Sequence, residues 1–286
     1  MLLPWQLWRR VLNPPRQHPI FQRSAAQPGP RISPFMQVLW LVTLGIGLLL
    51  LLAIAPAAVF LVVVALAITL PVFFLISHSW IYGAYWSLHT ASSIARERSA
   101  NTYALLHLAP EGPDHADWLI ALGCLHRGNT VLLLHRLVKI VVITLLLALT
   151  VAMTLGLGAV SGIVQDVEGE TQVLGVVLPL IVGCAILYLE HSLAIVSAAL
   201  LGILSGRRAN SDVEARILAL LLFLGSQALL YTVWLLGSRG SAMLLALHSE
   251  AMSLIAAPFV GLMIYLVLRT TLIQILWTLF RHNTPQ

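Results

Sequence analysis

SIARERSANTYALLHLAPEGPDHADWLIALGCLHR, residues Ser93 to Arg127, is a polar island in an otherwise apolar sequence. On its N-terminal side, Ile32 to Ala95 contains no Asp, Glu, Lys or Arg; on its C-terminal side, Ile140 to Gln165 is equally free of charge. Uncharged stretches of that length suit the interior of a bilayer, where a charged side chain costs at least about 2.5 kcal/mol. The island keeps its charges, so it is expected outside the bilayer, where the chain meets partners in water.

Composition agrees. Hydrophobic residues make up 59% of the 286 and charged residues 9%, against about 25% charged in a soluble domain. That is too little polar surface to coat a water-soluble globule, which makes the chain an integral membrane protein. A sequence pI near 9.7 does not point to nucleic acid, because the arginines are scattered between apolar spans rather than gathered on one face. The two cysteines, Cys124 and Cys184, fall in the island and in an apolar span. Neither a disulfide nor a zinc site is expected from that placement. At the N-terminus, Leu2, Leu3, Trp5, Leu7 and Trp8 precede Arg9 and Arg10. That is the reverse of a secretory signal, whose charges precede its apolar core.

About 20 apolar residues cross a bilayer as a helix. Six such spans are expected, near residues 36–55, 58–85, 141–160, 173–204, 217–236 and 252–276. Leu and Ala dominate and no period-two alternation occurs, so the fold class is all-α and polytopic rather than a barrel. With six spans and both termini cytoplasmic, fifteen of the sixteen basic residues, Arg269 among them, fall on one side, and only Arg239 lies opposite, with the acidic loop Asp166, Glu168 and Glu170. The positive-inside rule fixes that orientation, in the plasma membrane. The domain reading is an N-terminal cytoplasmic or interfacial segment (1–35), a single transmembrane domain (36–281) with a cytoplasmic loop at 93–130, and a short tail (282–286).

In the N-tail, Leu3, Leu7 and Val11 share one helical stripe and Arg9 and Arg10 lie off it. This predicts a short interfacial helix with Trp5 and Trp8 at headgroup depth. Pro14 through Pro34 then predict an irregular stretch. In the island, Thr102, Leu105, Leu106 and Ala109 share a face that stops at Pro110, an amphipathic helix. EGPDHAD follows as a polar connector, and Trp118 to Leu125 as a second short helix. Gly158 and Gly162 form a small-xxx-small pair, read as either a close helix contact or a helix end.

The island resembles the stretch ER-E-x-G-T-x-E-x-L-L-x-T-P found in the permease subunits of exporter-type (type-2) ABC transporters, between the second and third of six membrane helices. Glu97, Arg98, Thr102, Leu105, Leu106 and Pro110 match in order and spacing, while Ser99, Asn101, Ala104 and Ala109 depart. HPIFQR (His18 to Arg23) is similar to the start of those permeases, and SAALLGILSGRRANSDVEARILALLL to their turn between helices four and five. The resemblance implies a coupling helix docked on a separate ATP-binding cassette subunit, with Glu97, Arg98, Thr102, Leu105, Leu106 and Pro110 at the contact. It also implies a second permease copy or other membrane subunits beside the chain.

The chain has no P-loop of its own, since its single lysine, Lys139, follows no glycine-rich run. Any ATPase belongs to another polypeptide, and no catalytic residue, metal or cofactor is expected here. Deep in the fourth expected span lie Glu190 and His191. Glu190 is protonated, or bonded to His191, or bonded to another helix, and the pair reads as a point on a substrate or proton path or as an ordering contact between helices. His191 has no evident partner for binding a haem. The alternative function is a non-transporting structural subunit, on a permease-like fold, of a larger and possibly energy-transducing membrane complex.

Overall fold

The computed structural model describes residues 2–26, 79–100, 112–127, 130–161, 167–247 and 250–282. The first expected span, most of the second, and Thr102, Leu105, Leu106 and Pro110 lie outside these residues. The helices are α1 (Leu2–Leu12), α2 (Pro19–Ala26), α3 (79–99), α4 (Pro113–Leu125), α5 (Thr130–Ser161), α6 (Val167–Arg208), α7 (Asp212–Ala246) and α8 (Glu250–His282). No strand occurs among the described residues. Three helices there are long and apolar enough to cross a membrane: Ile181–Arg208, Asp212–Ala246 and Ala256–His282. The chain is an all-helical membrane protein.

The helix α6 is the hub. It packs against α1, α4, α5, α7 and α8, and 78% of its most apolar window is buried, against 22% and 28% for the spans in α7 and α8. A helix that is apolar on all sides finds its place in a core. The helices α7 and α8 instead leave apolar side chains such as Ile217, Leu221, Leu229, Met263 and Val267 exposed, as helices bordered by lipid do.

One face of α6 is made of small residues, and α3 lies on it. A Cβ added at Gly202 would stand 2.8 Å from the Ser87 carbonyl, and one at Gly206 would stand 2.8 Å from that of Ala91. Only glycine permits this approach, so Gly202-Ile-Leu-Ser-Gly206 is the small-xxx-small contact that brings α3 onto the hub. The turn into α7 is fixed locally. Ser211 caps the helix by accepting from the Glu214 amide at 3.2 Å, and the Glu214 carboxylate accepts from the Asn210 amide at 2.8 Å.

Beneath the spans, the short helices form a packed layer. In α4 every residue from Ala116 to Leu125 is buried, between α2 and α6. Three expectations change here. The EGPDHAD connector is helical from Pro113 onward, because a proline suits the first helical turn, and its Asp117 is fully buried. The proline-rich N-tail contains α2, which Pro19 opens in the same way. Finally, α1 forms as expected but seats Leu7, Trp8 and Val11 in the core; Trp8 is 1% exposed, and only Trp5 remains outside.

Arg207 ties this layer to the hub. Its guanidinium donates to Asp117 at 2.6 Å, to Asp114 at 2.7 Å and to the Phe280 carbonyl at 2.8 Å, and lies over the Phe280 ring. Removing one partner of a buried ion pair leaves the other charge stranded. Arg207→Ala is therefore expected to destabilise the protein by about 3–5 kcal/mol. Arg216→Ala, at a half-exposed pair with Asp212, should cost about 1 kcal/mol or less. Thermal unfolding of the detergent-purified variants measures both.

Candidate functional site

Among the described residues, two of the charged clusters are candidate sites. The first joins α6, α7 and α8 around Glu190. Arg269 Nη2 donates to Glu190 Oε1 at 2.6 Å and to Gln227 Oε1 at 3.0 Å. The Tyr265 hydroxyl donates to the other carboxylate oxygen, Oε2. Tyr265 and Arg269 are one helical turn apart, so both face Glu190, and all four side chains are buried. Trp80, Tyr231, Trp234 and Tyr265 follow as a run of rings whose centroids lie 5.6–6.2 Å apart, and the Trp234 indole donates to the Gly261 carbonyl at 2.9 Å.

Of the readings left open for Glu190, the bond to another helix is the one observed. Arg269, expected from its sequence position at a cytoplasmic helix end, is not a solvent-facing charge. Its guanidinium is wholly buried, because the only carboxylate deep in α6 draws it inward. Gln227 and Tyr265 were not singled out in the sequence, although each stands a turn from another polar residue of the site, at Tyr231 and Arg269.

His191, the neighbour of Glu190, faces the other way. Its ring stacks on His135 of α5, with centroids 6.0 Å apart and planes 10° from parallel. Trp8 of α1 meets both rings edge-on, at 5.2 Å from His135 and 6.1 Å from His191. These partners are not legible beside His191, because they come from helices far away in the chain. Among the described residues no three His, Cys, Asp or Glu side chains are grouped to hold a metal ion.

The second site is the root of the island. Glu97 pairs with Arg23 of α2 at 2.9 Å, with 14% of the Glu97 side chain exposed. Arg98 Nη1 donates to the carbonyls of Gly206 and Ala209 at 3.5 Å and to that of Arg207. These carbonyls end α6 and have no partner within the helix, so a cation there meets both unsatisfied acceptors and the negative end of the helix dipole. At the far end of the island, Arg127 donates to the Ser24 carbonyl at 2.9 Å and to Ser93 Oγ at 3.3 Å. Cys124 donates to the same hydroxyl at 3.2 Å. Two of the residues expected to dock a partner, Glu97 and Arg98, thus spend these bonds on the chain itself.

Ionisation in this layer follows burial and the surrounding arginines. Burial pushes the His89 imidazole down to about 4, helped by Arg127, Arg216 and Arg96. Burial also lowers His126, although its Nε2 lies 2.6 Å from the Val11 carbonyl, and raises the Cys124 thiol. No known protein-family profile, curated protein or solved structure matches the chain.

Two outcomes are expected. Glu190→Leu and Arg269→Met should each destabilise by about 3–5 kcal/mol, while the double replacement recovers most of the loss. A double-mutant cycle on unfolding midpoints measures the coupling. Separately, the folded state holds His89 neutral, whereas the unfolded chain takes up a proton near 6.5. Stability is therefore complete above that pH and is lost as pH falls from 6.5 towards 4. His89→Gln should flatten this slope in unfolding midpoints read across pH, leaving the share due to His126.

Proposed function

We propose that the chain is the transmembrane, permease-like subunit of an ATP-driven exporter, worked by a separate ATP-binding subunit that docks on the island. One arrangement carries this reading: both stems of the 101–111 segment end on the same turn of α6. Ahead of the segment, Arg98 holds the last carbonyls of α6; behind it, Asp114 and Asp117 hold Arg207. A displacement of the segment therefore reaches the most buried span directly instead of dissipating in a slack linker.

The roles divide accordingly. Thr102, Leu105, Leu106 and Pro110 supply the docking contact. Glu97 and Arg98 fasten the root of the island to α2 and α6 and pass the movement inward. Six spans with both termini cytoplasmic, in the plasma membrane, complete the arrangement, with a second copy or other membrane subunits alongside. ATP hydrolysis belongs to the partner chain, and this subunit contributes no catalytic residue.

A second reading has one specific observation in its favour. The buried Glu190–Arg269 pair is matched by partners within the chain, as a structural pin would be. On this reading the protein is a non-transporting subunit of a larger membrane complex.

Purification from native membranes separates the two. For the exporter, an ATPase subunit co-purifies, and Leu105→Asp with Leu106→Asp removes it. Arg98→Ala keeps the ATPase bound but abolishes the dependence of its hydrolysis rate on the membrane subunit. Recovery with membrane proteins alone, and no ATPase, sinks the exporter and supports the structural subunit.

A further inference from the structure

The corner between α1 and α5 carries a concentration of unmatched charge. On α1, Arg9 and Arg10 are exposed, and on α5, Arg136 and Lys139 are exposed. The Trp8–His135 ring contact, 5.2 Å between centroids, joins the helices at the residues just before Arg9 and Arg136. Among the described residues no carboxylate pairs with any of these four cations, whereas Arg23, Arg96, Arg207, Arg216 and Arg269 each have at least one.

The same outer face of α5 continues as an apolar stripe. Ile140, Ile143 and Leu147 are 60%, 62% and 66% exposed and follow Arg136 at helical spacing. Four cations beside an uninterrupted alkyl surface match a molecule with an anionic head and long hydrocarbon tails. Guanidinium groups take phosphate oxygens through paired N–H donors, and the stripe offers the tails a surface that a soluble protein or nucleic acid would leave wet.

We propose that the α1–α5 corner is a docking site for an anionic phospholipid, its phosphate held among Arg9, Arg10, Arg136 and Lys139 and its acyl chains laid along the α5 stripe. The lipid supplies the counter-charge that the chain lacks there and holds α1 against the bundle. The site is independent of whether the protein transports anything.

The test is native mass spectrometry of the full chain in detergent with equal amounts of phosphatidylglycerol and phosphatidylcholine. The wild type should retain phosphatidylglycerol in preference. Each cation contributes about fivefold in affinity, so the double variants Arg9→Gln/Arg10→Gln and Arg136→Gln/Lys139→Gln should each lower retention about 25-fold. Arg239→Gln, a cation outside the corner, should leave retention unchanged. All four positions are exposed, so folding of the double variants is expected. Equal retention of the two lipids by the wild type, or full retention by both double variants, overturns the proposal. Displacement by inorganic phosphate at the same concentration also overturns it, since the corner would then hold a soluble anion.

Discussion

The guanidinium of Arg207 is the interaction on which the lower half of the molecule depends. It stands at the end of the most buried helix and is met by two carboxylates of α4, a carbonyl of α8 and the face of Phe280. Asp117 is fully buried, and a buried carboxylate persists as a charge only with a cation against it. That requirement dictates where α4 lies. With α4 in place, α2 has a surface to pack on, and the root of the island is held from both sides.

A second ion pair, Glu190–Arg269, solves a different problem. It lies within the spans, where helices surrounded by lipid gain little from burying one more leucine. Polar contacts between helices then discriminate between packings that apolar contacts would leave nearly equivalent. Glu190 bonds to α8 through both Arg269 and Tyr265, and Arg269 reaches α7 through Gln227. A slip of any one helix by a turn would break the set.

Much of this was legible in the sequence, and the failures share a cause. Long runs without charge announced the helices, and the stripe of Leu3, Leu7 and Val11 announced α1. Rules that treat a residue by its position in the chain misplaced the others. Arg269 was counted with the cytoplasmic charges because it lies near a helix end, yet a carboxylate far away in the chain sets its position. Trp8 was given the ordinary membrane-surface role of tryptophan, yet two histidines from separate helices receive it. Asp117 lies in a segment rich in turn residues, and the approach of Arg207 is what lets its carboxylate be buried. The contact at Gly202 and Gly206 is not visible in the sequence, since glycine spacing alone does not say which helix faces a neighbour; Gly162, of the pair with Gly158, lies outside the described residues. Spacing reports what one helix offers; what accepts it is written elsewhere in the chain.

The seat of Trp8 and Val11 has a consequence for how the protein is made. The helix α1 is made before the residues that complete its binding site: the His126–Val11 contact closes across 115 positions, and His191 comes later still. Contacts so distant in sequence form late. Until then Leu7, Trp8 and Val11 need a temporary shelter, and the membrane surface offers one to an amphipathic helix. The docking of α1 therefore depends on later helices having already come together.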